Sequence, residues 1–160
     1  MLKYIIPMLL LTGARKREVL DACWADFDTE RRFWRIPHTK AGIERFVPLS
    51  DAVIALLGTI SRQPNCPYVF ANPNTQQPYV AIYYSWHTAR QQANLHDVRI
   101  HDLRHSFASF LVNAGCSLYE VQKLLGHSSA KMTQRYSHLS QPSLLRAVSL
   151  AQDYVPTSQA

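Results

Sequence analysis

The stretch His101-Asp102-Leu103-Arg104-His105, continued by Ser106-Phe107-Ala108-Ser109-Phe110-Leu111-Val112-Asn113-Ala114, predicts one amphipathic helix over 101–114. On a helical wheel Leu103, Phe107, Phe110, Leu111 and Ala114 share one side. His101 and His105 fall on the opposite side, with Arg104 on the flank nearest them. A solvated polar face would account for this. So would an anion site, because a guanidinium grips a phosphate with two N–H donors and an imidazole gives or takes a proton near neutrality. A metal site is the third reading: His101 and His105 are spaced four apart as in zinc-binding HExxH helices, and His127 could join them. Against it, Asp102 and not Glu follows the first His, and no third ligand is evident from spacing.

Working outward, Gly115 and Gly126 stand where helix stops are expected, which divides the C-terminal part into helices over about 117–125, 129–137 and 142–153. Pro142 suits the first turn of the last one. Upstream, a helix is expected over about 80–94, and Asp51 is a plausible N-cap for another through Leu57. Phe33 to Ile36 and Arg45 to Leu49 read as two strands joined by the loop His38-Thr39-Lys40-Ala41-Gly42, with Tyr68-Val69-Phe70 as a third. Residues 2–11 form an apolar helix with no cap before it. A second helix follows Thr12-Gly13 and carries Val19, Leu20 and Cys23 on its apolar side. The expected fold class is α+β, mainly α with a small antiparallel β-sheet.

At 160 residues the chain suits a single domain, 1–160. Its 47% apolar and 18% charged residues allow a buried core and argue against disorder. Only 5 glycines disfavour phosphate-binding glycine loops. The net charge of +6 permits a polyanionic partner without requiring one. Three cysteines, Cys23, Cys66 and Cys116, form no CxxC pair, so a reduced, cytoplasmic setting is expected. Lys3 followed by Tyr4 to Leu11 has some look of a secretory leader, but the run is short and Pro7 interrupts it. No run approaches the roughly 20 apolar residues of a membrane span.

Three further clusters carry reactive side chains: Thr12-Gly13-Ala14-Arg15 with Glu18, Leu125-Gly126-His127, and Arg135-Tyr136-Ser137-His138. Singly, each has an ordinary structural explanation, such as a surface ion pair for Arg15 and Glu18. In order, together with Lys40 in Thr39-Lys40-Ala41-Gly42 ahead of Val47-Pro48-Leu49 and with His101-Asp102-Leu103-Arg104-His105, they do not look independent. From about residue 8 to 138 the chain resembles the catalytic domain of the tyrosine recombinases, the phage-integrase family. No catalytic position departs from the family pattern. The start of the catalytic domain and the separate core-binding domain of the family are absent from the sequence, so the chain is read as N-terminally truncated.

The resemblance implies a DNA breaking-rejoining enzyme, a site-specific recombinase or integrase that works through a 3′-phosphotyrosyl intermediate. It makes Tyr136 the nucleophile and His101 its general base. Arg15, Arg104 and His127 become the donors to the phosphate, and Lys40 the acid that protonates the departing 5′-oxygen. Glu18 and His105 take supporting roles. A free phenol has a pKa near 10, so the nucleophile needs such help at neutral pH. The intermediate conserves the energy of the broken phosphodiester, so no metal, ATP or other cofactor is called for. The implied partners are double-stranded DNA and other copies of the chain: a homotetramer on two DNA sites, a monomer or weak oligomer without DNA, and no membrane. Residues 140–160, the last helix and tail, would dock on a neighbouring protomer or pack on their own domain. The alternatives are an inactive DNA-binding remnant of the same fold and a His-ligated metal hydrolase.

Overall fold

The computed structural model describes residues 1–37, 42 and 44–140. Six helices are present among them: α1 (Leu2–Thr12), α2 (Lys16–Leu20), α3 (Asp51–Gly58), α4 (Tyr83–Gln92), α5 (Asp102–Asn113) and α6 (Leu118–Leu125). Three strands, β1 (Phe27–Asp28), β2 (Phe33–Ile36) and β3 (Arg45–Pro48), form one antiparallel sheet in the order β1-β2-β3. The architecture is therefore mainly helical with a small antiparallel sheet, as expected. The chain groups into two compact units, Met1–Phe107 and a second that begins at Ala108 within α5.

In the first unit α1 packs on α2 and α3, and Ile5, Met8 and Leu9 of α1 join Val53 and Leu57 of α3 in the core. The sheet closes that core through alternation. Trp34, Ile36 and Val47 point inward and are buried, whereas Arg35 and Phe46 point out. Trp34 is paired with Val47 and with Phe27, whose ring stacks on it at 5.1 Å. Burying an apolar side chain of this class contributes about 1.5–3 kcal/mol. In the second unit Val121 and Leu125 of α6 are buried together with Ala108, Val112, Thr133 and Tyr136.

Several details differ from expectation. Tyr68-Val69-Phe70 adds no strand to the sheet: Tyr68 makes only an isolated bridge to Cys23, and the third strand is Phe27–Asp28. The N-cap of α3 is Ser50, whose hydroxyl accepts from the Val53 amide, and Asp51 is the first helical residue. The second helix ends at Leu20, short of Cys23. The segment 129–137 is built of 3-10 turns, Ala130–Met132 and Gln134–Ser140, and not of one α-helix. On α5 the buried side is not the one the apolar residues mark. Phe110 is exposed, while Leu103, Arg104, Ala108 and Val112 are buried. The loop positions 38–41, with Lys40, and the expected helix over 142–153 lie outside the described residues.

Candidate active site

Gly13 ends α1 in the left-handed conformation, φ 61°, with its amide donating to the Leu9 carbonyl at 3.0 Å. Glycine is required twice over. A Cβ here would lie 2.2 Å from Cδ1 of Phe107, inside any tolerable contact. The turn is stiffened by Thr12, whose hydroxyl donates to the Met8 carbonyl at 2.6 Å and accepts from the Ala14 amide at 3.2 Å. Arg15 leaves this turn as the N-cap residue of α2.

Glu18 holds Arg15 by two atoms. Its Oε2 accepts the Arg15 backbone amide at 2.7 Å, the acidic half of a capping box, and its Oε1 accepts Nη1 of the Arg15 side chain at 2.8 Å. Glu18 is only 8% exposed, so this is not the solvated ion pair of an ordinary helix surface. The residue that makes its burial tolerable is Arg45 at the head of β3, whose Nη2 donates to Oε2 at 2.8 Å. Burial by itself pushes the Glu18 carboxyl up. The Arg45 bond and charge, followed by the two contacts from Arg15, outweigh it and hold the group below its ordinary value of 4.5.

Arg45 was not among the residues singled out from the sequence. An arginine opening a strand is indistinguishable from a surface cation until the chain folds, since 27 residues separate it from Glu18. Arg45→Gln should cost about 1–3 kcal/mol by leaving the buried carboxylate with one cationic partner. The pH dependence has a definite sign. Because the folded carboxyl lies below 4.5, its stabilisation is present above that value and lost as pH falls through the folded one. Losing Arg45 raises the folded value, so acid unfolding followed by circular dichroism should begin at higher pH. An unchanged acid limb would contradict the assignment.

The start of α5 is bonded to the same turn. Arg104 is 4% exposed, and its Nη1 donates to the Gly13 carbonyl at 2.6 Å, a bond spanning 91 residues. The expectation that Arg104 lies on the polar flank of the helix is thus corrected: it is buried, and a buried cation needs such a partner. The rings of His101 and His105 meet edge to face, 4.9 Å between centroids. His101 is exposed at the entrance of α5, where Asp102 accepts the Arg99 amide at 2.8 Å. The first unit therefore brings Arg15, Glu18, Arg104, His101 and His105 onto two joined elements.

In the second unit α6 begins with a reciprocal cap, Ser117 accepting from the Glu120 amide at 3.2 Å and Glu120 accepting from the Ser117 amide at 2.7 Å. It ends at Gly126 in a left-handed turn. There the Gly126 amide donates to Lys123 and the His127 amide to Gln122, the paired bonds of a Schellman motif. His127 is fixed by that motif, and its Nδ1 lies 2.9 Å from the Thr133 hydroxyl. Tyr136 is 5% exposed, with its amide donating to the Thr133 carbonyl at 3.0 Å. Among the described residues no three His, Cys, Asp or Glu side chains gather as a metal would need, and no helix is long and apolar enough to cross a membrane.

The chain is similar in sequence and fold to known proteins. The sequence pattern of the phage integrase family matches residues 1–142. The tyrosine recombinase XerA of Saccharolobus solfataricus is 34% identical over 137 residues, covering 86% of this chain and 45% of that protein. The catalytic domain of bacteriophage HP1 integrase superposes with a TM-score of 0.72 at 27% identity, over 92% of this chain and 80% of that one. The XerH site-specific recombinase, in a pre-cleavage complex with its difH substrate, superposes with a TM-score of 0.72 at 26% identity, over 92% of this chain and 45% of that one. The chain spans about half the length of the curated relatives it matches. With the pattern matched over most of its length and the fold shared, the chain belongs to the phage integrase family.

Proposed function

We propose that the chain is the catalytic part of a site-specific DNA recombinase that cuts and rejoins DNA through a 3′-phosphotyrosyl bond on Tyr136. The observation that carries this reading is the bond from the buried Arg104 guanidinium to the Gly13 carbonyl. It ties the helix of His101 and Arg104 to the turn that presents Arg15, so two arginines from opposite ends of the first unit belong to one bonded assembly. A guanidinium carries five N–H donors, enough for Arg15 to hold Glu18 and grip a phosphate. Donors held in advance cost no reorganisation as charge grows on the phosphorane, and one of them is typically worth about 2.7–4 kcal/mol of barrier.

Tyr136 then attacks the phosphorus. Its proton passes to His101, Arg15 and Arg104 hold the non-bridging oxygens, His127 donates to the same phosphate, and Lys40 protonates the departing 5′-oxygen. Tyr136 is 5% and Arg104 4% exposed, so the proposed reaction includes an opening of the Gln134–Ser140 turn and of the cover over Arg104. A 3-10 segment suits that, since its hydrogen bonds are poorer than those of an α-helix. The proposed partner is double-stranded DNA, gripped mainly through its backbone with a steep salt dependence, and the working assembly is a tetramer on two sites.

The test is covalent trapping. A DNA duplex nicked next to its cleavage position releases a short fragment on cutting and leaves the protein attached. A denaturing gel should show the retarded adduct without added metal or nucleotide, and mass spectrometry of the digest should find the nucleotide on Tyr136. No adduct on any target duplex, or an adduct on another side chain, would overturn the reading.

A further inference from the structure

Thr133 is a buried polar residue to which the reaction just proposed gives no role. It is 2% exposed and lies between the two 3-10 turns of the second unit. Its amide donates to the Ala130 carbonyl at 2.9 Å, its carbonyl accepts the Tyr136 amide at 3.0 Å, and its hydroxyl lies 2.9 Å from Nδ1 of His127. One residue thus touches both partners, its hydroxyl the imidazole ring of His127 and its backbone carbonyl the amide of Tyr136.

We propose that Thr133 is a positioning residue for strand cleavage, holding His127 so that Nε2–H is the donor presented to the phosphate. The proposal rests on the recombinase reading of His127 and Tyr136. A neutral imidazole has one N–H, and which nitrogen bears it is set by the partner of the other. If the hydroxyl donates to Nδ1, the proton sits on Nε2 and the ring can donate to an anion. If Nδ1 bore the proton of a neutral ring, Nε2 would present a lone pair and repel a phosphate oxygen. A hydroxyl also adapts to charge. It donates to Nδ1 of the neutral ring and accepts from Nδ1–H of the imidazolium, so Nε2–H is kept in both states. Valine matches the shape of threonine and can do neither.

The experiment compares the wild-type chain, Thr133→Val, Thr133→Ser, His127→Ala and the double variant Thr133→Val/His127→Ala on the nicked duplex, with DNA retention measured separately by gel shift. Thr133→Val should slow adduct formation about 10–100-fold without weakening DNA binding, in line with the loss of other hydrogen bonds that orient a functional histidine. Thr133→Ser should restore the rate, and Thr133→Val should add nothing once His127 is alanine. A second readout needs no DNA and no variant. The imidazole nitrogen-15 spectrum of the wild-type chain should show neutral His127 protonated on Nε2, and protonation on Nδ1 overturns the proposal even if Thr133→Val fails to fold. Wild-type cleavage with an insensitive Thr133→Val, or an equal loss in the His127→Ala background, overturns it alone. Absence of any wild-type adduct removes the recombinase reading and this inference with it.

Discussion

Tyr136→Phe should abolish the covalent adduct, with a loss of strand cleavage of at least about 10⁴-fold, the scale on which enzymes lose activity when a nucleophile is deleted. The change removes one oxygen and leaves the ring, which is buried in the second unit. The amide bond to the Thr133 carbonyl is a backbone interaction and survives. Stability should therefore change by only about 1 kcal/mol, the worth of a typical hydrogen bond. DNA retention in a gel shift should also persist, because Arg15, Arg104 and the exposed cationic side chains are untouched. The two measurements belong together: loss of cleavage with loss of folding would say nothing about the nucleophile. Cleavage that continues in a folded Tyr136→Phe chain removes Tyr136 from the chemistry.

Gly13→Ala should be the most damaging single methyl in the first unit. Two costs add. The left-handed backbone at φ 61° costs a residue with a Cβ about 1–2 kcal/mol. The Cβ would also stand 2.2 Å from Cδ1 and 2.7 Å from Cε1 of Phe107, and relieving such overpacking costs about 1–3 kcal/mol. The sum, about 2–5 kcal/mol, is a large share of the 5–15 kcal/mol that usually separates folded from unfolded chains. For a chain of this size it corresponds to a fall in Tm of roughly 4–20 °C, measurable by calorimetry. Function should suffer beyond stability. Phe107 sits one turn after Arg104 on α5, so moving that helix away from Gly13 loosens the Arg104 bond to the Gly13 carbonyl. Adduct formation should then fall even at temperatures where the variant is folded. A variant with the wild-type Tm would show that Phe107 yields freely and that the close approach has no structural weight.

The consequences for the site run through particular residues. Arg15 was identifiable from its motif, and Glu18 from its spacing, because both belong to one helical turn. Whether that pair was a surface decoration or a buried fixture was not identifiable, because the answer depends on Arg45 arriving from another element. Tyr136 and His127 stood out by composition and order. Thr133 did not, since a threonine between two such residues has no distinguishing chemistry until its hydroxyl is seen against Nδ1.

The sequence by itself determined the helix ends at Gly13 and Gly126, the span of α5 and the pairing of β2 with β3. Those features depend on neighbours within a few positions: a glycine that tolerates a left-handed turn, an apolar period, a glycine-bearing loop of hairpin length. Tertiary structure alone decided that Phe27–Asp28 and not Tyr68-Val69-Phe70 completes the sheet, that 129–137 is wound as 3-10 turns, and that α5 turns Arg104 inward while Phe110 faces out. The reason is the same each time. Burial is set by what packs against a segment, and a cation goes inside when a carbonyl 91 residues away is there to receive it.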